Sequence, residues 1–111
     1  MLPSKLAFVD LETTGMRSAY DRIIEIGIVL VDDNKVISTY SSLINPGAHI
    51  PPSIQEMTGI RSDELERAPT FREVHNTIEE LLRNRLFIAH NARFDYGFLK
   101  SEYKRLQKSF T

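Results

Sequence analysis

The chain has 111 residues, 41% of them hydrophobic and 26% charged, with a formal net charge of −1 and a pI near 6.3. Those values fit one small globular domain, exclude a disordered composition, and leave no global basic field to attract nucleic acid. With no cysteine, disulfide staples and cysteine-ligated zinc are excluded, and with no apolar run near 18 residues and no leader pattern at the start, the chain is expected to be soluble, cytoplasmic and free of membrane contact.

The first organised stretch is Phe8-Val9-Asp10-Leu11-Glu12-Thr13-Thr14-Gly15, an apolar run ending in two carboxylates and a turn. Side chains alternate along a strand, so Asp10 and Glu12 share a face about 7 Å apart. Two ionised carboxylates that close raise each other's pKa unless a positive charge intervenes, and a divalent metal would be one. Residues 16–21 read as a loop over that end. Arg22 to Val31 is β-branched and nearly all apolar, the pattern of an interior strand covered on both faces. Asp32 to Lys35 is hairpin-turn chemistry, and Val36 to Ile44 reads as the outer strand.

Asn45-Pro46-Gly47 stops that strand, and the segment through Pro51-Pro52 is expected to be irregular because proline lacks the backbone donor. Ser53 to Met57 is at most a helical turn, closed by Thr58-Gly59-Ile60. Thr70 and Glu73 form a capping box for a helix whose Phe71, Val74, Ile78, Leu81 and Leu82 recur at helical spacing. Leu86 to Ala89 reads as a short buried strand, and Ala92 to Gln107 as a second helix with Phe94, Phe98, Leu99, Tyr103 and Leu106 on one stripe. The order strand, strand, strand, helix, strand, helix gives an α/β layer with a mixed sheet.

The motif Asp10-x-Glu12-Thr-Thr-Gly on a first strand, with His90-Asn91-Ala92-Arg93-Phe94-Asp95 opening a later helix, resembles the first and second motifs of the DnaQ-like (DEDD) 3′→5′ exonucleases. Ile50-Pro51 and Thr58-Gly59-Ile60 resemble that family's connecting segment. The resemblance implies an RNase H-like mixed sheet flanked by helices, and a 3′→5′ exonuclease of the proofreading or repair type acting on single-stranded DNA ends. It implies Asp10, Glu12 and Asp95 as catalytic ligands of two Mg²⁺ or Mn²⁺ ions, and Thr13, Thr14, Gly15, Met16, Asn91 and Phe98 as the residues around the terminal nucleotide. Hard divalent cations take oxygen ligands, and two of them roughly 3.5–4 Å apart serve the attacking and leaving oxygens of a phosphodiester. Asp95 lies in a first helical turn, where the helix dipole favours an ionised carboxylate.

Each residue also has a plainer reading. Asp10 and Glu12 could be polar residues at a strand end, Asp95 a helix-start acid, Thr13 to Gly15 a turn, and Phe94 and Phe98 core. His49 and His75 read as surface residues. His90-x₄-Asp95 matches the spacing of the family's third motif, but Asn91, Phe94, the preceding strand and the following helix suit the second motif better. On that reading the third motif, with its general base and fourth carboxylate, is absent. Residues 1–111 are then expected to be the N-terminal part of an exonuclease domain, short of a last strand and a C-terminal helix and impaired in activity. The apolar sheet face so exposed would be covered either by the rest of a longer protein, of which these residues are a fragment, or by a homodimer partner or another chain.

A basic set from residue 83 onward (Arg83, Arg85, Arg93, Lys100, Lys104, Arg105, Lys108) reads as a solvated helix face or as phosphate contacts. The alternative function is a non-catalytic nucleic-acid or metal-binding module of a polymerase or repair complex.

Overall fold

The computed structural model describes residues 3–110. Its elements are β1 (Lys5–Thr13), β2 (Ile23–Asp32), β3 (Lys35–Leu43), α1 (Pro52–Thr58), α2 (Ser62–Glu66), α3 (Phe71–Leu82), β4 (Leu86–Ile88) and α4 (Ala92–Arg105). The strands form one sheet in the order β3-β2-β1-β4. β1 and β2 pair antiparallel, β2 and β3 likewise, and β1 pairs parallel with β4, so the sheet is mixed as expected.

Local chemistry accounts for most boundaries. Asp33 (φ 49°) and Asn34 (φ 68°) both sit in the left-handed region, the geometry of a two-residue hairpin turn matched to strand twist. The Thr70 hydroxyl accepts from the Glu73 amide and the Glu73 carboxylate accepts from the Thr70 amide, closing the capping box of α3. The segment after Pro51 is more regular than its prolines suggest: Pro52 occupies the start of α1, where its missing N–H costs no bond, and Gly59 at φ 76° ends the helix. The five-residue α2 has no counterpart in the sequence reading.

One face of the sheet carries the core. Ala7, Val9 and Leu11 of β1 and Ile26, Ile28 and Leu30 of β2 bury against Phe71, Ile78 and Leu82 of α3 and Phe98, Leu99 and Tyr103 of α4. Phe71 meets Tyr103 edge-on at 5.2 Å, and Phe110 stacks on the same ring at 4.8 Å. The Tyr103 hydroxyl donates to the His75 carbonyl at 2.6 Å, and burial pushes its phenol pKa up. His75 is therefore no surface residue: it is 7% exposed, on the stripe of Phe71, Ile78 and Leu82. Its Nδ1 lies against the Arg72 carbonyl.

A second cluster joins Ile24 to Ile50, Ile60 and Leu65 of the α1–α2 segment, so β2 is enclosed at its first residues. Farther along it is not covered on both faces. Gly27, Val29 and Val31 are only half-buried, beside exposed Phe8 of β1 and Leu86 of β4.

Candidate active site

Strand alternation divides β1 between two tasks. Ala7, Val9 and Leu11 point into the core, while Phe8 and Asp10 are exposed and Glu12 half-buried on the open face. Across the ladder Asp10 faces Gly27 and Glu12 faces Glu25. With no side chain at Gly27, a depression of about 640 Å³ opens beside Asp10, bordered by Phe8, Val29, Thr39, Ile88 and His90. A smaller recess of about 180 Å³ is lined by Asp10, Glu12, Glu25, Gly27 and Ser41.

Asp95 comes from the first turn of α4 and is 7% exposed. Burial raises its pKa first and the charge of Asp10 second, against lowering by backbone amides of Asn91 and Asp95 and by His90. Glu12 is raised by burial, then by Asp10, then by Glu25. Asp10 is thus the charge common to both shifts, acting on Glu12 beside it and on Asp95 from α4. Glu25 was not foreseen. The available signal was a lone acid in the apolar Ile23-Ile24-Glu25-Ile26 run, in register with Glu12.

The loop after β1 is built rather than loose. The Thr13 hydroxyl donates to the Gly15 carbonyl at 2.6 Å. The Thr14 hydroxyl donates to Asp21 at 3.2 Å and accepts from the Arg22 amide at 2.9 Å, and the Arg17 amide donates to Asp21 at 2.9 Å. A Cβ on Gly15 would lie 2.5 Å from the Asp21 carboxylate, so a larger residue there would push Asp21 off its bonds to Thr14 and Arg17. Thr14 is consequently 9% exposed, with its hydroxyl committed to the loop, whereas Met16 is 77% exposed.

Asn91 is exposed at the start of α4. Phe98 is 1% exposed, 4.7 Å from the Phe94 ring, so it sits in the core and not at the site surface. Of the basic set, Arg83, Arg93, Lys100, Lys104 and Lys108 are exposed. Arg85 pairs with Asp32 at 2.6 Å, and Arg105 pairs with Glu102 at 3.4 Å. Those two cations are structural.

Asp10, Glu12 and Asp95 offer the hard oxygen donors that Mg²⁺ or Mn²⁺ takes, so the donor chemistry fits. As placed they stand apart: among the described residues no group of three or more His, Cys, Asp or Glu is arranged to hold a metal ion. No helix among the described residues is long and apolar enough to cross a membrane.

The sequence profile of the exonuclease (RNase_T) family matches residues 7–110. The chain is 45% identical over 104 residues to the 3′-5′ exonuclease DinG of Staphylococcus haemolyticus, covering 94% of this chain and 12% of that protein. It is 44% identical over 98 residues to DinG of Staphylococcus aureus strain USA300, covering 88% of this chain and 11% of that protein. It therefore spans only about an eighth of the length of these relatives. Product-bound exonuclease I superposes with a TM-score of 0.86 at 22% identity, over 96% of this chain and 27% of that one. E. coli exonuclease I in complex with a dT13 oligonucleotide gives 0.85 at 22% identity, over 96% and 25%. These neighbours carry the fold, an RNase H-like mixed sheet flanked by helices.

Proposed function

The chain belongs to the exonuclease family, of the DnaQ-like 3′→5′ kind, and on that premise we propose that residues 1–111 form the metal-binding part of a domain that hydrolyses phosphodiester bonds at the 3′ end of single-stranded DNA. One observation carries the reading. Strand alternation brings Asp10 and Glu12 out on the open sheet face, and α4 delivers Asp95 within reach of the same charge.

In this reading Asp10, Glu12 and Asp95 would hold Mg²⁺ or Mn²⁺, which when bound would supply Lewis acidity and an activated water. The chain's own part is orientation. β1 fixes the spacing of two carboxylates, the depression beside Gly27 leaves space for a strand, and the loop from Thr13 to Met16 bounds the terminal nucleotide. Asn91 and the exposed cations of α4 would contact the sugar-phosphate backbone without reading sequence. Phe98 would support the site from beneath. The reading includes a reduced rate for residues 1–111 alone, since three carboxylates are assigned and no general base is. Its place of action would be the cytoplasm. DNA as substrate is supported by the dT13 complex of the exonuclease I neighbour.

The test is shortening of a 5′-labelled single-stranded oligonucleotide with Mg²⁺ or Mn²⁺. Mononucleotide release abolished by EDTA and by Asp10→Ala is expected, whereas activity unchanged by either would refute it. Metal-dependent oligonucleotide binding with no cleavage would favour a non-catalytic module of a polymerase or repair complex.

A further inference from the structure

The most enclosed charged side chain among the described residues lies away from the three carboxylates. Glu102 on α4 is 1% exposed, and its carboxylate accepts from Arg22 Nη2 at 2.8 Å, from Arg22 Nε at 3.1 and 3.0 Å, and from the Ile23 amide at 3.0 Å. Arg105 approaches the same group at 3.4 Å and donates to the Ser18 and Asp21 carbonyls at 3.0 and 3.2 Å. Arg22 also donates to the Pro46 carbonyl at 3.0 Å. A buried carboxylate is tolerated only when paired and fully hydrogen-bonded, and Glu102 meets that condition.

Its position gives the arrangement a consequence. Asp95 and Glu102 are seven residues apart, two turns and about 10.5 Å along one face of α4. Fixing Glu102 therefore fixes the rotation of the helix and the direction of Asp95. The anchor is the Ile23 amide, at the β2 residue paired with Thr13 of β1. The helix is thereby tied to the site end of the sheet. The Arg105 guanidinium grips the Ser18–Asp21 segment, whose Asp21 packs against Gly15.

We propose that Glu102 is a positioning residue: through Arg22, Ile23 and Arg105 it sets Asp95 against Asp10 and Glu12 and holds the loop that bounds the nucleotide. The inference rests on the metal-site reading above.

Its test is Mn²⁺ affinity by calorimetry beside thermal unfolding, in the unmodified chain, Glu102→Gln and Arg85→Gln. Arg85→Gln breaks the Arg85–Asp32 pair between β2 and the segment before β4, and so reports what lost stability alone does. Glu102→Gln is expected to weaken Mn²⁺ about tenfold or more, as loss of a partner that orients a metal ligand does. Arg85→Gln is expected to stay within about twofold, as distant sites do. Should Glu102→Gln not fold, Arg22→Lys keeps the charge but loses the fork and is expected to weaken Mn²⁺ in the same direction. Equal losses in Glu102→Gln and Arg85→Gln, or undiminished affinity in a folded Glu102→Gln or in Arg22→Lys, would overturn the proposal. An unmodified chain that binds no Mn²⁺ would instead overturn the metal site itself and the proposal with it.

Discussion

The two faces of the sheet come from the same strands and differ in almost everything else. On the closed face Ala7, Val9, Ile26 and Ile28 are 4% exposed or less and interlock with α3 and α4. On the open face Phe8 is 41% exposed, and beside it stand Asp10, Glu12, Glu25 and the gap at Gly27. The contrast shows how a 111-residue chain can host mutually repelling carboxylates. Apolar burial on one side stabilises the fold, and the charges occupy alternate positions where they displace no packing.

That separation is sharpest where its breach costs most. Ile26→Ala, on the closed face, is expected to destabilise the chain by about 2–5 kcal/mol in chemical denaturation. Val29→Ala, half-buried on the open face of the same strand, is expected to cost under about 1 kcal/mol. Equal losses would mean that the open face is packed as firmly as the closed one. Thr70→Ala removes the α3 cap, with an expected loss of about 1 kcal/mol and no change in Mn²⁺ affinity, because α3 supports only the closed face.

The open face should respond in the opposite sense. Asp10 is a cause of the raised pKa of both Glu12 and Asp95, so Asp10→Asn is expected to raise the melting temperature at neutral pH by about 2–4 °C, the scale of relieving one like-charge contact. The pH dependence follows the same sign. Each acid binds its proton more tightly folded than unfolded, so its contribution is present below its ordinary pKa, 4.5 for Glu12 and 3.8 for Asp95, and is lost as pH rises from there through the raised folded value. Melting curves across that window should show stability falling with pH from this pair, and a shallower fall in Asp10→Asn.

Much of the closed face was legible in sequence because period is a local signal: Phe71, Ile78 and Leu82, or Phe98, Leu99 and Tyr103, announce a helix and its buried stripe together. His75 shows the limit. It lies on that stripe, but its polarity argued for the surface, and only the tertiary contact with Tyr103 decides otherwise. On the open face, Asp10 and Glu12 were legible from alternation and motif, while Glu25 required strand register. Glu102 required the packing of α4 on β2, because its partner Arg22 lies 80 residues away in sequence. The loop after Thr13 was legible as a turn, but the commitment of the Thr14 hydroxyl to Asp21 and Arg22 depends on a return of the chain that no local pattern encodes.

The central claim is that Asp10, Glu12 and Asp95 form one cation site. Its most direct test is Mn²⁺ titration of the unmodified chain and of Asp10→Asn, read by calorimetry with melting temperature followed in parallel. The expected result is saturable binding that raises the melting temperature of the unmodified chain and disappears in an Asp10→Asn chain at least as stable as its parent. Binding of equal strength in both, or none in the unmodified chain, would contradict it.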